Sequence, residues 1–198
     1  MDLPARSCEG CTACCHILPI VEQDVQKPAN AMCGNCIPGV GCGIYETRYH
    51  VCRRFMCTWV TDMAIPQHWQ PSQSHMVILN DEASGTLVVH VDAAFPDVWR
   101  AAPYIDDLHT WAANPTAQQK RIVVLVDRDH TVIFPVGEKF IGEMKPGQAL
   151  RVHKITTMFW TAYDADVVDG TDPRAAGAIG ALPTANQEAL RLDLVTKS

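Results

Sequence analysis

Nine cysteines fall between Cys8 and Cys57 of a 198-residue chain, and none follows. Cys8, Cys11, Cys14 and Cys15 form a C-x2-C-x2-C-C run. A two-residue gap lets a turn aim two thiolates at one metal while the amides between them face sulfur. Three thiols at successive gaps of this kind hold three corners of an iron–sulfur cube in bacterial ferredoxins. Adjacent side chains tend to diverge, so Cys14 and Cys15 are expected to serve different ions or one bridging arrangement. Cys33, Cys36, Cys42, Cys52 and Cys57 complete the set. Cys11-x2-Cys14, eighteen residues, then Cys33-x2-Cys36 reproduces the spacing of a four-cysteine zinc site. Two overlapping subsets thus suit two cofactors, zinc or an iron–sulfur cluster, and spacing does not choose between them. Eight thiolates fill two four-sulfur sites, or one with four to spare. Nine suffice for three ions if three sulfurs bridge.

Disulfides are the competing use of so many thiols. The N-terminus shows no basic run followed by an apolar stretch, and no run of about 18 apolar residues occurs anywhere. The expectation is a cytoplasmic protein, in a reducing compartment where structural disulfides are rare. An odd cysteine count also fits complete pairing badly. With 16 Lys+Arg against 22 Asp+Glu, the net charge of -6 argues against nucleic-acid and anionic-membrane partners. Metal ions are the expected partners, neither a nucleic acid nor a membrane is expected, and the protein partner stays unknown.

Other chemistry is thin. Gly39, Gly41 and Gly43 around Cys42 have neither a preceding strand nor a following helix pattern, so they are read as tight turns and not as a nucleotide loop. Arg48, Arg53 and Arg54 beside the last cysteines either offset thiolate charge or are solvated. His16 and His50 lie close enough in sequence to replace a thiolate, yet the sulfurs already suffice, which makes them surface or outer-sphere residues. His90 and His153 fall in predicted strands and read as locally hydrogen-bonded. There is no H-E-x-x-H, G-x-S-x-G or Walker pattern. Asp106, Asp107, Asp127, Asp129 and the acidic residues of 164–169 are read as solvated turn and end positions. Trp59, Trp69, Trp99, Trp111 and Trp160 read as core and rim anchors. No catalytic residue is assigned, and enzymatic status is left open.

Elements must hold the thiols in place. Residues 1–60 have poor periodicity and many Gly and Pro, so they read as loops whose missing folding energy a metal would supply. From residue 75 the pattern changes. Residues 75–80 and 86–91 read as a strand pair about a turn. Pro103 opens a helix whose apolar face is Ile105, Leu108, Trp111 and Ala112. Residues 121–126 and 131–134 form another hairpin, and 148–155 a further strand. The expected fold is α+β: a cysteine-rich, loop-dominated segment (1–60) docked on a small, mainly antiparallel sheet with one or two helices (61–170). A tail (171–198) with a short amphipathic helix over 186–195 follows.

The cysteine block resembles the CxxCxxCC (YkgJ-like) cysteine-cluster family of zinc- or iron-chelating proteins. The resemblance rests on Cys8, Cys11, Cys14, Cys15, Cys36 and Cys42, then on Cys42-Gly43-Ile44-Tyr45-Glu46-Thr47-Arg48-Tyr49-His50-Val51-Cys52-Arg53-Arg54-Phe55-Met56-Cys57. That stretch is similar to the family's C-x-IYE-x-RP-x-x-CR-x-F-x-C, with Tyr49 in place of the proline. Cys33 is additional to the eight-cysteine pattern. The match covers about a quarter of the chain. It implies a metal-chelating domain with Cys8, Cys11, Cys14, Cys15, Cys36, Cys42, Cys52 and Cys57 as ligands. A relative with the same block, the flagellin lysine N-methylase, implies an alternative: an iron–sulfur-dependent enzyme or redox protein in protein modification. Metal trafficking is a third reading.

Overall fold

A computed structural model describes residues 6–7, 10–22, 25–116, 121–175 and 179–180. The cysteine-rich part is built from short pieces. They are α1 (Ala13–Ile17), β1 (Ile20–Val21) paired with β2 (Gln26–Lys27), β3 (Cys36–Ile37) paired with β4 (Gly41–Cys42), and α2 (His50–Arg54). Next come α3 (Thr58–Thr61) and α4 (Pro71–Ser74). None exceeds five residues, which suits a segment broken by Gly and Pro.

The body is a five-stranded sheet. Its strands are β5 (Met76–Asp81), β6 (Thr86–Val91), β7 (Arg121–Val126), β8 (Asp129–Ile133) and β9 (Glu138–Glu143), in that order across the sheet. Neighbours are antiparallel except β6 and β7, which are parallel. A parallel pair needs a long crossover, and α5 (Tyr104–Ala113) lies on it. A hairpin of β10 (Gln148–Thr156) and β11 (Thr161–Asp169) packs behind the sheet, and β12 (Ile179–Gly180) joins the base of β10.

The sheet has an apolar layer on each side. Met76, Ile78, Leu87, Val89, Ile122 and Val124 pack with Ile17, Leu18, Cys57, Trp59, Trp69, Trp99 and Leu108. The cysteine segment and α5 therefore share one core with the sheet. On the other side Val88, Val123, Leu125, Val132 and Phe134 meet Leu150 and Ala165 of the rear hairpin. Strands buried on both faces read as unbroken apolar runs, as in Leu87-Val88-Val89 and Ile122-Val123-Val124-Leu125.

The α+β class and the strands at 75–80, 86–91, 121–126, 131–134 and 148–155 agree with expectation to within two residues at each end. Pro103 caps α5 and does not occupy its first turn. β9 and β11 were not foreseen. β9 is a half-exposed edge strand without clean alternation, and β11 carries Asp164, Asp166 and Asp169. Two of these acids are not turn residues. Asp164 takes an ion pair from Lys139, and Asp166 an ion pair from Arg151 and a hydrogen bond with His153, which is how a strand tolerates them. The residues 186–195 lie outside those described.

Candidate metal centre

α1 sets the first thiols. Cys14 and Cys15 lie in its single turn, where Ile17 is buried and anchors the helix to the sheet. Two backbone bonds then fold the next loop back onto it: Asn30 N donates to Ile17 O (3.2 Å) and Cys33 N to Cys15 O (2.9 Å). Cys36 N donates to Cys33 O, so Cys33-Gly34-Asn35-Cys36 is a tight turn. Cys36 and Cys42 are direct cross-strand partners in β3 and β4, which puts their side chains on one face. The hairpin between them needs its glycines. Gly39 and Gly41 have φ of +73° and +125°, and a Cβ on Gly43 would sit 3.2 Å from Asn35 O. They serve turns, as the sequence suggests.

The thiols so placed sense one another. Cys15 lies close enough to both Cys14 and Cys36 for each to shift its ionisation, so the two adjacent cysteines do not part company as expected. Contact with Cys14, then burial, pushes the Cys15 thiol far up. Burial, then the nearby Cys15, pushes Cys36 up to about 11. Cys52 in α2 is raised by burial and by Cys15, Cys33 and Cys42, with Arg48 pulling the other way. Six cysteines, Cys14, Cys15, Cys33, Cys36, Cys42 and Cys52, thus share one electrostatic environment. Cys33, extra to the family pattern, is among them. Cys11 is half-buried just ahead of α1, and Cys57 is buried in the main core ahead of α3. Cys8 lies outside the described residues.

A buried cation stands beside these sulfurs, and the sequence did not announce it. Lys27 is 6% exposed. Its ammonium donates to His16 O (2.9 Å), Pro28 O (2.9 Å) and Ala31 O (2.7 Å). Burial draws its pKa down, while Cys33, Cys15 and Cys14 hold it up. Lys27 therefore staples α1 to the loop before Cys33 and faces the thiols with positive charge. The available signal was small: a lone lysine between apolar Val25 and Pro28. Arg48 stacks on Tyr45, 4.1 Å from the ring centroid, within electrostatic reach of Cys52. Arg53 and Arg54 are exposed. His16 Nδ1 lies 3.4 Å from Asp92 Oδ2, and His50 is exposed at the start of α2.

The donor set suits a thiophilic ion. Crowded thiols that resist ionisation together are stabilised as thiolates once a cation sits among them. Among the described residues, no three His, Cys, Asp or Glu side chains stand as a ready metal-holding group. Cys11, Cys14, Cys15, Cys33, Cys36, Cys42 and Cys52 carry free thiols.

Elsewhere, Asp107 is more than a solvated turn acid. Its Oδ2 accepts from the buried Trp69 indole (2.8 Å) and meets His68 Nε2 (2.6 Å), clasping α5 to the turn before α4. His153 is held by Asp166 (2.5 Å). Trp160 is 55% exposed and anchors nothing in the core. Among the described residues no helix is long and apolar enough to cross a membrane. No family model, no curated protein and no solved structure matches the chain.

Proposed function

We propose that the chain is a metal-chelating protein whose N-terminal cysteines hold zinc or an iron–sulfur cluster as thiolates, in a reducing cytoplasm. The observation that carries this reading is the backbone that folds the cysteine loops together: Cys33 N donates to Cys15 O, Cys36 N to Cys33 O, and Cys36 faces Cys42 across β3 and β4. Apolar packing alone gives no reason to set Cys14, Cys15 and Cys33 beside a buried ammonium. Thiolate ligation does, because each sulfur must lose its proton to bind. Cys8, Cys11 and Cys57 join the ligand set through the sequence pattern they share with the CxxCxxCC family. A filled four-sulfur shell makes the metal a folding element, and the short pieces over residues 13–54 are the kind of structure such a metal stabilises.

Anaerobic purification, elemental analysis, an acid-labile sulfide assay and an absorption spectrum test the proposal together. One or more zinc ions per chain without sulfide, or iron with matching sulfide and charge-transfer absorption, supports it and decides between the two metals. A protein that takes up neither metal after anaerobic reconstitution overturns it.

A further inference from the structure

The two most exposed apolar side chains of the described residues, Met158 and Phe159, stand together at one hairpin tip. The β10–β11 hairpin ends in the turn Thr157-Met158-Phe159-Trp160. There Met158 is 90% exposed, Phe159 88% and Trp160 55%, with Ile155 at 51% just below. Thr157 Oγ1 accepts from the amides of Phe159 and Trp160 and Thr157 N donates to Trp160 O, so the turn is fixed by its own bonds.

A second apolar turn lies at the same end. Gly170 N donates to Gly147 O at the base of the hairpin, beyond the finish of β9. Further out, the Lys139 ammonium pairs with Asp164, and Phe134 stacks on Tyr163 with centroids 5.8 Å apart. The hairpin therefore runs back along β9 toward the β8–β9 turn, where Val136 is 86% exposed.

We propose that this two-turn end is a membrane-contacting tip that dips Met158, Phe159 and Trp160 into the interfacial layer of a lipid bilayer. Shape and area argue for a bilayer over a second copy. The apex is convex and offers on the order of a few hundred Å² from two aromatic rings and a methionine, whereas a stable interface takes about 800 Å² from each partner. Charge argues the same way. Residues 134–137 and 154–163 contain one charged side chain, Lys154, in a chain with 22 acids. The acids flanking them, Glu138 and Asp164, are ion-paired with Arg100 and Lys139. An acid-free apex with a lysine collar suits the headgroup layer. Trp favours that depth, and Lys keeps its head in water while its stem lies along apolar matter. The chain's net negative charge disfavours flat electrostatic adhesion, and insertion of an uncharged tip does not need it. Three side chains make a weak, reversible contact, below that of one acyl chain.

The test is flotation of the full-length protein with vesicles at millimolar lipid, of phosphatidylcholine alone and with a third phosphatidylglycerol. The wild type should float with both, since insertion of an uncharged tip does not require lipid charge. Met158→Ser/Phe159→Ser, at positions too exposed to disturb folding, should weaken binding by about tenfold or more, since burying each side chain is worth about that much. Lys154→Gln should weaken flotation with the anionic vesicles and leave binding to phosphatidylcholine vesicles unchanged. No flotation with either vesicle overturns the proposal. Undiminished flotation of the double variant does so too, as does a wild-type dimer in solution that the double variant dissociates.

Discussion

Acidification should unlock the rear of the sheet through His90. This side chain is one residue from the end of β6, between Val77 and Leu125 in register, with His130 one strand further on the same face. Burial, reinforced by His130, pulls its pKa down to about 4 from an ordinary 6.5. The folded protein therefore holds His90 neutral where the unfolded chain protonates it. The stability this contributes is complete above pH 6.5, falls as pH drops from 6.5 toward 4, and levels off below. At about 1.4 kcal/mol per unit, moving from pH 7 to pH 5 costs about 2 kcal/mol from His90 alone. That is a large part of a typical 5–15 kcal/mol total (roughly). His130 adds to the loss, because burial lowers it as well, against the pull of the Gly142 and Arg128 carbonyls. Urea unfolding at pH 7 and pH 5 measures this directly. His90→Leu should lose about 2 kcal/mol less than wild type between the two pH values. An equal loss in the variant and the wild type would refute the assignment.

Three further outcomes follow from named contacts. Lys27→Met leaves three carbonyls of the thiol loops without their donor and should cost about 2–4 kcal/mol in urea unfolding, as well as weakening zinc uptake in a competition assay. Leu150→Ala opens a cavity between sheet and hairpin and should cost about 2–5 kcal/mol, whereas Phe159→Ser should stay within about 0.5 kcal/mol of wild type. Asp107→Ala strands the buried Trp69 indole and should lower stability by about 1–3 kcal/mol, visible as a Tm drop.

The strands were legible where burial on two faces forces continuous apolar runs, as in Leu87-Val88-Val89 and Ile122-Val123-Val124-Leu125. β9 was hidden because it is a half-exposed edge without clean alternation, and β11 because its carboxylates are paired across strands, a contact with no sequence signature: Asp166 with Arg151 joins positions fifteen apart. The parallel β6–β7 pairing was equally hidden, since it depends on where α5 docks. For the candidate centre, type and spacing picked out the cysteines but not their grouping. The return of Cys33 to Cys15 is made by backbone bonds, and the cation facing them comes from Lys27 in an unremarkable two-residue strand. Asp107 looked like an ordinary helix-start acid, and its role depends on Trp69, thirty-eight residues away.

X-ray absorption at the metal edge of the anaerobically loaded protein tests the central claim most directly. Thiolate ligation by the N-terminal cysteines predicts a first shell dominated by sulfur at about 2.3 Å, reduced when Cys15 and Cys36 are both replaced by serine. A first shell of oxygen and nitrogen only, or a spectrum the double serine variant leaves unchanged, would contradict it.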